Sequence, residues 1–217
     1  MSTSGRHGQR LKAITQEARD LFQQKFQVRE RTLQVSREII RHSANAIRAI
    51  HRGEFQEGRK LLEEARPLAR ELHDLLPNDA DIYFGGFVED AQKEFAEAHA
   101  TLAFVASSAL PTPKELYVTR AAYFNGLGEA VGELRRYVLD SLRRNDVAQC
   151  EELLDLMDEV YTILVTMDFP DAITRGLRRT TDMVRGVLER TRGDLTMALR
   201  QQTLERRLGE MEERLKG

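Results

Sequence analysis

The sequence is poor in the residues that mark several common classes of protein. Only one of its 217 residues, Cys150, is a cysteine, so no disulfide can form within the chain and we expect an intracellular, cytoplasmic protein. No stretch approaches the roughly 20 apolar residues of a membrane-spanning helix. The polar, basic start from Met1 to Arg10 lacks the apolar segment of a secretion signal. The prediction is a protein without a membrane partner.

Signatures of familiar enzyme sites are also missing. The chain has no P-loop, no HExxH zinc motif, no cysteine pair for zinc and no GxSxG nucleophile turn. Tryptophan is absent and aromatic residues make up only 6%, so no platform for stacking bases is evident. The net charge of −2 lacks the basic excess usual in nucleic-acid-binding proteins, although a basic surface balanced by an acidic one is compatible with it.

The residues that are present favour helices. Apolar side chains recur every three or four positions from Leu11 onward, and no segment alternates with period two. We predict an all-α fold of six or seven helices in a single domain over residues 10–200. Residues 1–9 are predicted to be a disordered tail and residues 201–217 a helix extension or a frayed tail. The first predicted segment, residues 11–52, is one long helix or two nearly collinear ones. The other predicted helices cover residues 54–76, 79–109, 119–144, 147–167 and 170–200, and a capping box at 112–115 predicts a further short helix.

One predicted helix carries an unusual row of acids. Asp90, Glu94 and Glu97 lie beside the apolar stripe and, at about 100° per residue, fall within roughly 60° of one another. Carboxylates placed so closely repel one another. A hard divalent cation with oxygen ligands would make the arrangement favourable.

A second helix carries two further acids, Glu129 and Glu133, one turn apart. Small residues on the same face, Ala122 and Gly126, permit a second helix to pack closely, and this would partly enclose the two carboxylates. A cluster drawn from both helices could hold Mg²⁺ for phosphodiester cleavage. The alternative is a set of ordinary salt bridges, for which Lys93, Arg135 and Arg136 are available.

Basic residues concentrate on the first and last helices. Such rows could neutralise phosphates, or they could be solvated helix faces paired with glutamates. The candidate nucleic-acid-binding residues are Arg29, Arg37, Arg41, Arg178, Arg179 and Arg185.

Four stretches resemble the translin/TRAX family. Residues 29–39 with 47–51 resemble the opening helix of TRAX-type proteins, and residues 94–98 (Glu-Phe-Ala-Glu-Ala) resemble their Glu-Tyr-Val-Glu-Ala segment. Residues 123–136 are similar to the more specific signature Tyr-Leu-x-Gly-x-x-Asp-x-x-Gly-Glu-Leu-x-Arg. The fourth stretch is Phe169-Pro170, after which the chain begins a new helix, together with that Arg-rich final helix. The four stretches occur in the family's order and cover about residues 28–200.

The resemblance implies a seven-helix subunit in a hollow, roughly octameric assembly that binds single-stranded RNA or DNA. It implies Mg²⁺-dependent (or Mn²⁺-dependent) endoribonuclease activity for TRAX-type subunits and binding alone for translin-type subunits. The TRAX catalytic acids correspond to Glu94, Glu97 and Glu129, with Glu133 as an additional metal ligand. The family's aspartate is replaced by Glu129, whose longer side chain could change the metal geometry.

These observations lead to one principal hypothesis and two alternatives. The principal hypothesis is a homo-oligomeric RNA-binding protein with metal-dependent endoribonuclease activity. The alternatives are a translin-like nucleic-acid-binding scaffold without catalysis and a plain helical scaffold whose acids are paired surface charges.

Overall fold

The computed structural model describes residues 3–75, 77–144 and 146–216, and every regular element in these ranges is a helix. The helices are α1 (Thr3–His51), α2 (Phe55–His73), α3 (Ala80–Tyr83), α4 (Gly86–Val105), α5 (Arg120–Arg143), α6 (Val147–Val165), α7 (Asp171–Thr174) and α8 (Leu177–Lys216). The all-α prediction is confirmed, since six of the eight are long and two are single turns. Leu76 and Asn145, predicted to end one helix and to separate two others, lie outside the described residues. Within the described ranges no helix is both long and apolar enough to cross a bilayer.

Most helix ends follow local signals in the sequence. Gly53 adopts φ +77°, a left-handed conformation that favours glycine, and it ends α1. Thr119 caps α5, because its hydroxyl oxygen accepts a hydrogen bond from the backbone N–H of Ala122 at 3.1 Å. Helix α2 continues through Pro67. The long apolar stripe from Leu11 to Ile50 forms one unbroken helix, the first of the two predicted alternatives.

The structure differs from the sequence-based helices in three places. Residues 3–9, expected to be a disordered tail, continue α1. The helix expected over 79–109 divides at Phe84 and Gly85 into α3 and α4. The capping box at Thr112 forms its reciprocal hydrogen bonds with Glu115, but the predicted short helix is wrong. Tyr117 adopts a left-handed φ of 57°, which ends the turn before a helix develops.

Two central helices, α4 and α5, organise the packing. Helices α1 and α2 pack against each other and against α4, while α6 and α8 pack against each other and against α5. Helix α4 is buried on nearly all sides through residues such as Ala91, Phe95 and Ala98. The contact between α4 and α5 therefore lies at the centre of the domain, with one edge open between α1 and α8.

The two longest helices extend beyond this bundle. The first half of α1 exposes large apolar side chains, among them Leu11, Leu21 and Phe22. The last turns of α8, of which residues 201–216 were expected to be either a helix extension or a frayed tail, are helical to Lys216 and also expose apolar residues.

Candidate metal and nucleic-acid site

A close approach of α4 and α5 creates the site, and Gly126 makes this approach possible. A Cβ atom on Gly126 would lie 2.5 Å from the carbonyl oxygen of Lys93 and 2.9 Å from the backbone nitrogen of Glu97. Real Cβ atoms do not come this close to backbone atoms, so any larger residue would separate the two helices. The side chains on either side of Gly126 are consequently held face to face with those of α4.

Three carboxylates meet across this contact. Glu94 and Glu97 of α4 and Glu129 of α5 each offer an oxygen, and these oxygens all lie within 4.8 Å of one another. Glu97 is buried with 8% exposure, and the other two are half-buried. The structure thus brings together the three acids that the sequence singled out, here called the carboxylate triad. Asp90, the first acid of the predicted row, is exposed and lies outside this group.

The charge of the triad is poorly compensated by protein groups. Burial, followed by the negative charges of Glu129, Glu94 and Glu133, raises the pKa of Glu97 to about 8. Burial, followed by the charge of Glu129, also raises the pKa of Glu94. Three oxygen donors that repel one another match the ligand preference of a small divalent cation, whose charge would relieve the repulsion.

Lys93 provides part of the missing positive charge. Its ammonium group donates a hydrogen bond to Glu129 at 2.8 Å. Burial lowers the pKa of Lys93, but the hydrogen bond and charge of Glu129, together with Asp90 and Glu94, raise it overall. Lys93 was a predicted ion-pair partner of these acids, and this contact is confirmed. Among the described residues, no salt bridge involves Glu94 or Glu97.

Glu133 lies beside the triad in a different environment. The Nε2 atom of His51, at the end of α1, forms a hydrogen bond with its carboxylate. This bond lowers the pKa of Glu133, against the opposing effect of burial. His51 falls within the family-like stretch 47–51, but the sequence does not connect it with the acids, because it is 82 residues distant from Glu133 along the chain.

The carboxylates open into a cavity of about 500 Å³ on the side of α1 and α8. Arg48 of α1, Arg136 of α5 and Met183 of α8 line it together with the four glutamates. An adjoining cavity of about 570 Å³ shares Glu129 and adds Lys93, Arg175 and Arg179. A third, of about 930 Å³, shares Arg175 with the second. Because neighbouring cavities share lining residues, the three adjoin one another, and together they are here called the groove, with the triad at one end.

The predicted basic residues of α1 divide into two groups. Arg37 and Arg41 are exposed and, at about 100° per residue, lie within roughly 40° of the helix face that carries Arg48. They line a separate depression along α1 and form a basic row leading towards the triad. Arg29 lies elsewhere, paired with Glu30 and placed 6.0 Å from the ring of Phe87.

The predicted basic residues of α8 also divide into one that lines the groove and two that form ion pairs outside it. Arg179 lines the groove next to Glu129. Arg178 forms an ion pair with Asp168, and Arg185 lies 3.9 Å from Glu189 one turn along the same helix. Both of these side chains are exposed. Arg175, which lies between α7 and α8 and is not among the predicted site residues, lines the groove and forms an ion pair with Glu89 at 3.4 Å.

Comparisons of sequence and of structure both find proteins similar to this chain. No family model matches the chain. An uncharacterised protein of Methanocaldococcus jannaschii is 34% identical over 173 residues, which cover 79% of this chain and 76% of that protein. The structure of AfC3PO in complex with duplex RNA is 34% identical with a TM-score of 0.79, and the alignment covers 85% of this chain and 95% of that one.

Two further solved structures share the fold. AfC3PO alone is also 34% identical, with a TM-score of 0.78 over 85% of this chain and 96% of that chain. The apo form of NeC3PO is 18% identical, with a TM-score of 0.77 over the same shares, which is a likeness of fold.

Proposed function

Because the chain belongs to the translin family, to which the C3PO proteins also belong, we propose that it binds RNA along the groove and cleaves it at the carboxylate triad with the help of a divalent cation. The observation that carries the proposal is the meeting of Glu94, Glu97 and Glu129 within 4.8 Å across two helices. An RNA ligand is supported by AfC3PO, which is 34% identical and forms a complex with duplex RNA.

The donor set fits Mg²⁺ or Mn²⁺. All three groups are carboxylates, which hard divalent ions prefer. The pKa of Glu97 is raised by burial and then by the neighbouring negative charges, and a bound cation would offset both effects. Glu94, Glu97 and Glu129 would hold the ion, and Glu133 would be an auxiliary ligand. When bound, the ion would supply an activated water and stabilise negative charge on the phosphate.

The remaining polar groups position these ligands and the substrate. Lys93 fixes one oxygen of Glu129, and His51 fixes the carboxylate of Glu133. Arg48 and Arg136 face the cavity of the triad, where their guanidinium groups can contact the phosphates on either side of the cleaved one. Arg37 and Arg41 extend this basic surface along α1, and Arg175 and Arg179 extend it along the groove.

We propose a single strand as the preferred substrate and a homo-oligomer, of octameric size, as the working form. The triad opens into a cavity of about 500 Å³ bordered by α1 and α8, where an unpaired strand can place one phosphate without having to accommodate a partner strand. AfC3PO forms a complex with duplex RNA, so the binding of a single strand to this protein should be compared with the binding of duplex RNA. Single-stranded DNA offers the same phosphates without the 2′-hydroxyl and would bind in the same groove.

The deciding experiment measures cleavage of labelled single-stranded RNA, duplex RNA and single-stranded DNA with Mg²⁺, Mn²⁺ or EDTA. Unaltered protein should cleave the RNA strand only with metal present. Glu94→Gln should lose cleavage and retain a gel shift, because the Arg rows remain. Glu63→Gln is the matched control, since it removes a glutamate that pairs with Arg66 on α2, away from the groove, and it should cleave normally.

Two outcomes would contradict the proposal in different ways. Binding without cleavage under any metal condition would favour a translin-like scaffold, and the triad would then be structural. Absence of binding to all three nucleic acids at low salt would instead favour the plain helical scaffold.

A further inference from the structure

The C-terminal part of α8 carries an apolar stripe that nothing in the described chain covers. Its members repeat with the alternating spacing of four and three residues that defines a heptad. They are between 51% and 83% exposed. This stripe, here called the C-terminal seam, consists of Met197, Leu204, Leu208, Met211 and Leu215, with Gln201 at the one polar position.

The seam does not continue the face of α8 that packs in the domain. Leu188 and Leu195 are buried in the core. Nine residues separate Leu195 from Leu204, which at about 100° per residue places them on opposite sides of the helix, roughly 180° apart. The seam therefore lies on the side of α8 opposite Leu195. Its first positions, Met197, Gln201 and Leu204, border an open depression beside α5, and its later positions extend beyond the bundle, so its side chains stay exposed within this copy.

Charged residues flank the seam in a regular order. The positions just before Gln201, Leu208 and Leu215 are all arginine, namely Arg200, Arg207 and Arg214. The positions just after Leu204 and Met211 are both glutamate, Glu205 and Glu212. In a heptad lettered a to g, Gln201, Leu208 and Leu215 occupy position a, and Met197, Leu204 and Met211 occupy position d. Each position g that precedes a position a is then arginine, and the positions e that follow Leu204 and Met211 are glutamate.

These flanking charges are also free for an outside partner. Among the described residues, no salt bridge involves Arg200, Arg207, Arg214 or Glu212, and Glu205 accepts only a hydrogen bond from Gln201. By contrast, Arg206 and Glu210, which lie on the outer side of the helix, form an ion pair with each other. The charges beside the seam thus form no salt bridges within the described chain.

We propose that the C-terminal seam forms a parallel, two-stranded coiled coil with the same segment of a second copy of this chain. In a parallel pair, position g contacts position e of the next heptad on the partner helix. Arg200 would then pair with Glu205 of the second copy, and Arg207 with Glu212, each twice by symmetry. Gln201 would face Gln201 of the second copy at the one polar core position, and this pairing fixes the register of the two helices.

The charge order selects this arrangement over an antiparallel one. In an antiparallel pair, g faces g and e faces e, so arginines would oppose arginines and glutamates would oppose glutamates. The contact is independent of the proposed RNA cleavage, because no residue of the seam lies in the groove.

Cysteine cross-linking provides the direct test. Gln201→Cys places a thiol at the start of the seam, where only a parallel pair brings two copies of the residue together. The native Cys150 is buried and does not compete. Mild oxidation should join two chains through this position in the otherwise unaltered full-length protein.

Charge reversal tests the pairing itself in the same cysteine background. Arg207→Glu would place Glu against Glu212 of the partner and should strongly reduce cross-linking, and Glu212→Arg should do the same. The double variant R207E/E212R should restore it. Glu213→Arg is the matched control, since it reverses a neighbouring glutamate outside the seam, and it should cross-link normally.

Mixing the two single variants sharpens the test further. An R207E chain and an E212R chain complement each other, so mixed pairs should exceed the random share of about one half. Absence of the 201–201 cross-link, or cross-linking that none of the charge changes alters, would overturn the proposal. Cross-linking of position 201 to a cysteine placed at Leu21 of α1 instead would also overturn it, since the first half of α1 would then be the partner.

Discussion

Two neighbouring carboxylates in one cavity, Glu97 and Glu133, have opposite electrostatic environments. Glu133 accepts a hydrogen bond from His51, and its pKa is lowered. Glu97 has no such partner: its burial, followed by the charges of the neighbouring acids, raises its pKa to about 8. The comparison shows that a buried carboxylate with a hydrogen-bonding partner stays easily ionised, whereas one without a partner resists ionisation.

Removing each of these carboxylates in turn should separate the two roles most clearly. Glu97→Gln takes away a proposed metal ligand, and we expect metal-dependent RNA cleavage to fall by more than about 100-fold. Glu133→Gln takes away an auxiliary group, and a loss of about 10-fold is expected. Initial cleavage rates over a series of Mg²⁺ concentrations measure both. Equal losses in the two variants would mean that the triad has no special role.

The pH dependence of stability without metal should reveal the unpaired triad. A carboxyl group whose pKa is raised on folding stabilises the protein fully below the unfolded value, 4.5, and this contribution is lost as the pH rises through about 8. Unaltered protein in EDTA should therefore lose stability between pH 5 and 9. Glu97→Gln should lose less, by on the order of 3 kcal/mol, since one pKa unit is about 1.4 kcal/mol. Urea unfolding at pH 5 and at pH 9 measures the free energy of unfolding of both proteins. The same change in this free energy between the two pH values in both proteins would refute the prediction.

Two glycines of α5 allow the geometry of the triad to be disturbed with a matched control. Gly126→Ala would force Cβ against the backbone of α4, and we expect a loss of about 2 kcal/mol and reduced cleavage. Gly132→Ala meets no atom within 4 Å and should instead stabilise the helix by roughly 0.5–1 kcal/mol. Thermal and urea unfolding measure both. A stable, fully active Gly126→Ala protein would contradict the close approach.

The smallest effect is expected at the partner of Glu133. His51→Gln weakens the hydrogen bond to a partly buried carboxylate, which should cost about 1 kcal/mol of stability. The pKa of Glu133 should rise, because the bond that lowers it is removed. Carboxyl titration by NMR in protein with labelled glutamate measures this change, and an unchanged titration of Glu133 would show that the bond is unimportant in solution.

The fold was largely predictable because its signals are local. The apolar period of α1, the left-handed Gly53 and the Thr119 cap each act within a few residues, and each appears where the sequence places it. The short helix at 112–115 was wrong because the left-handed conformation of Tyr117 depends on how the chain connects α4 to α5. A capping box specifies a helix start and carries no information on whether the helix continues.

The site was predictable only in part, for a related reason. Glu94 and Glu97 share one helix, and Gly126 beside Glu129 indicated a close neighbour, so the triad followed from spacing and from the family resemblance. The contact of His51 with Glu133 joins α1 to α5, and only the packed structure brings them together. Likewise, the basic residues of α1 and α8 look equivalent in the sequence, but packing places Arg48 and Arg179 at the groove and Arg29 and Arg178 elsewhere.

All four glutamates at the cavity, and the Lys93 and His51 that contact them, come from a single copy of the chain. Each chain therefore carries the whole set of groups proposed to bind the metal, and an assembly would contain one such set per chain. If cleavage occurs at this set, unaltered chains mixed with Glu97→Gln chains should lose activity in proportion to the share of the variant.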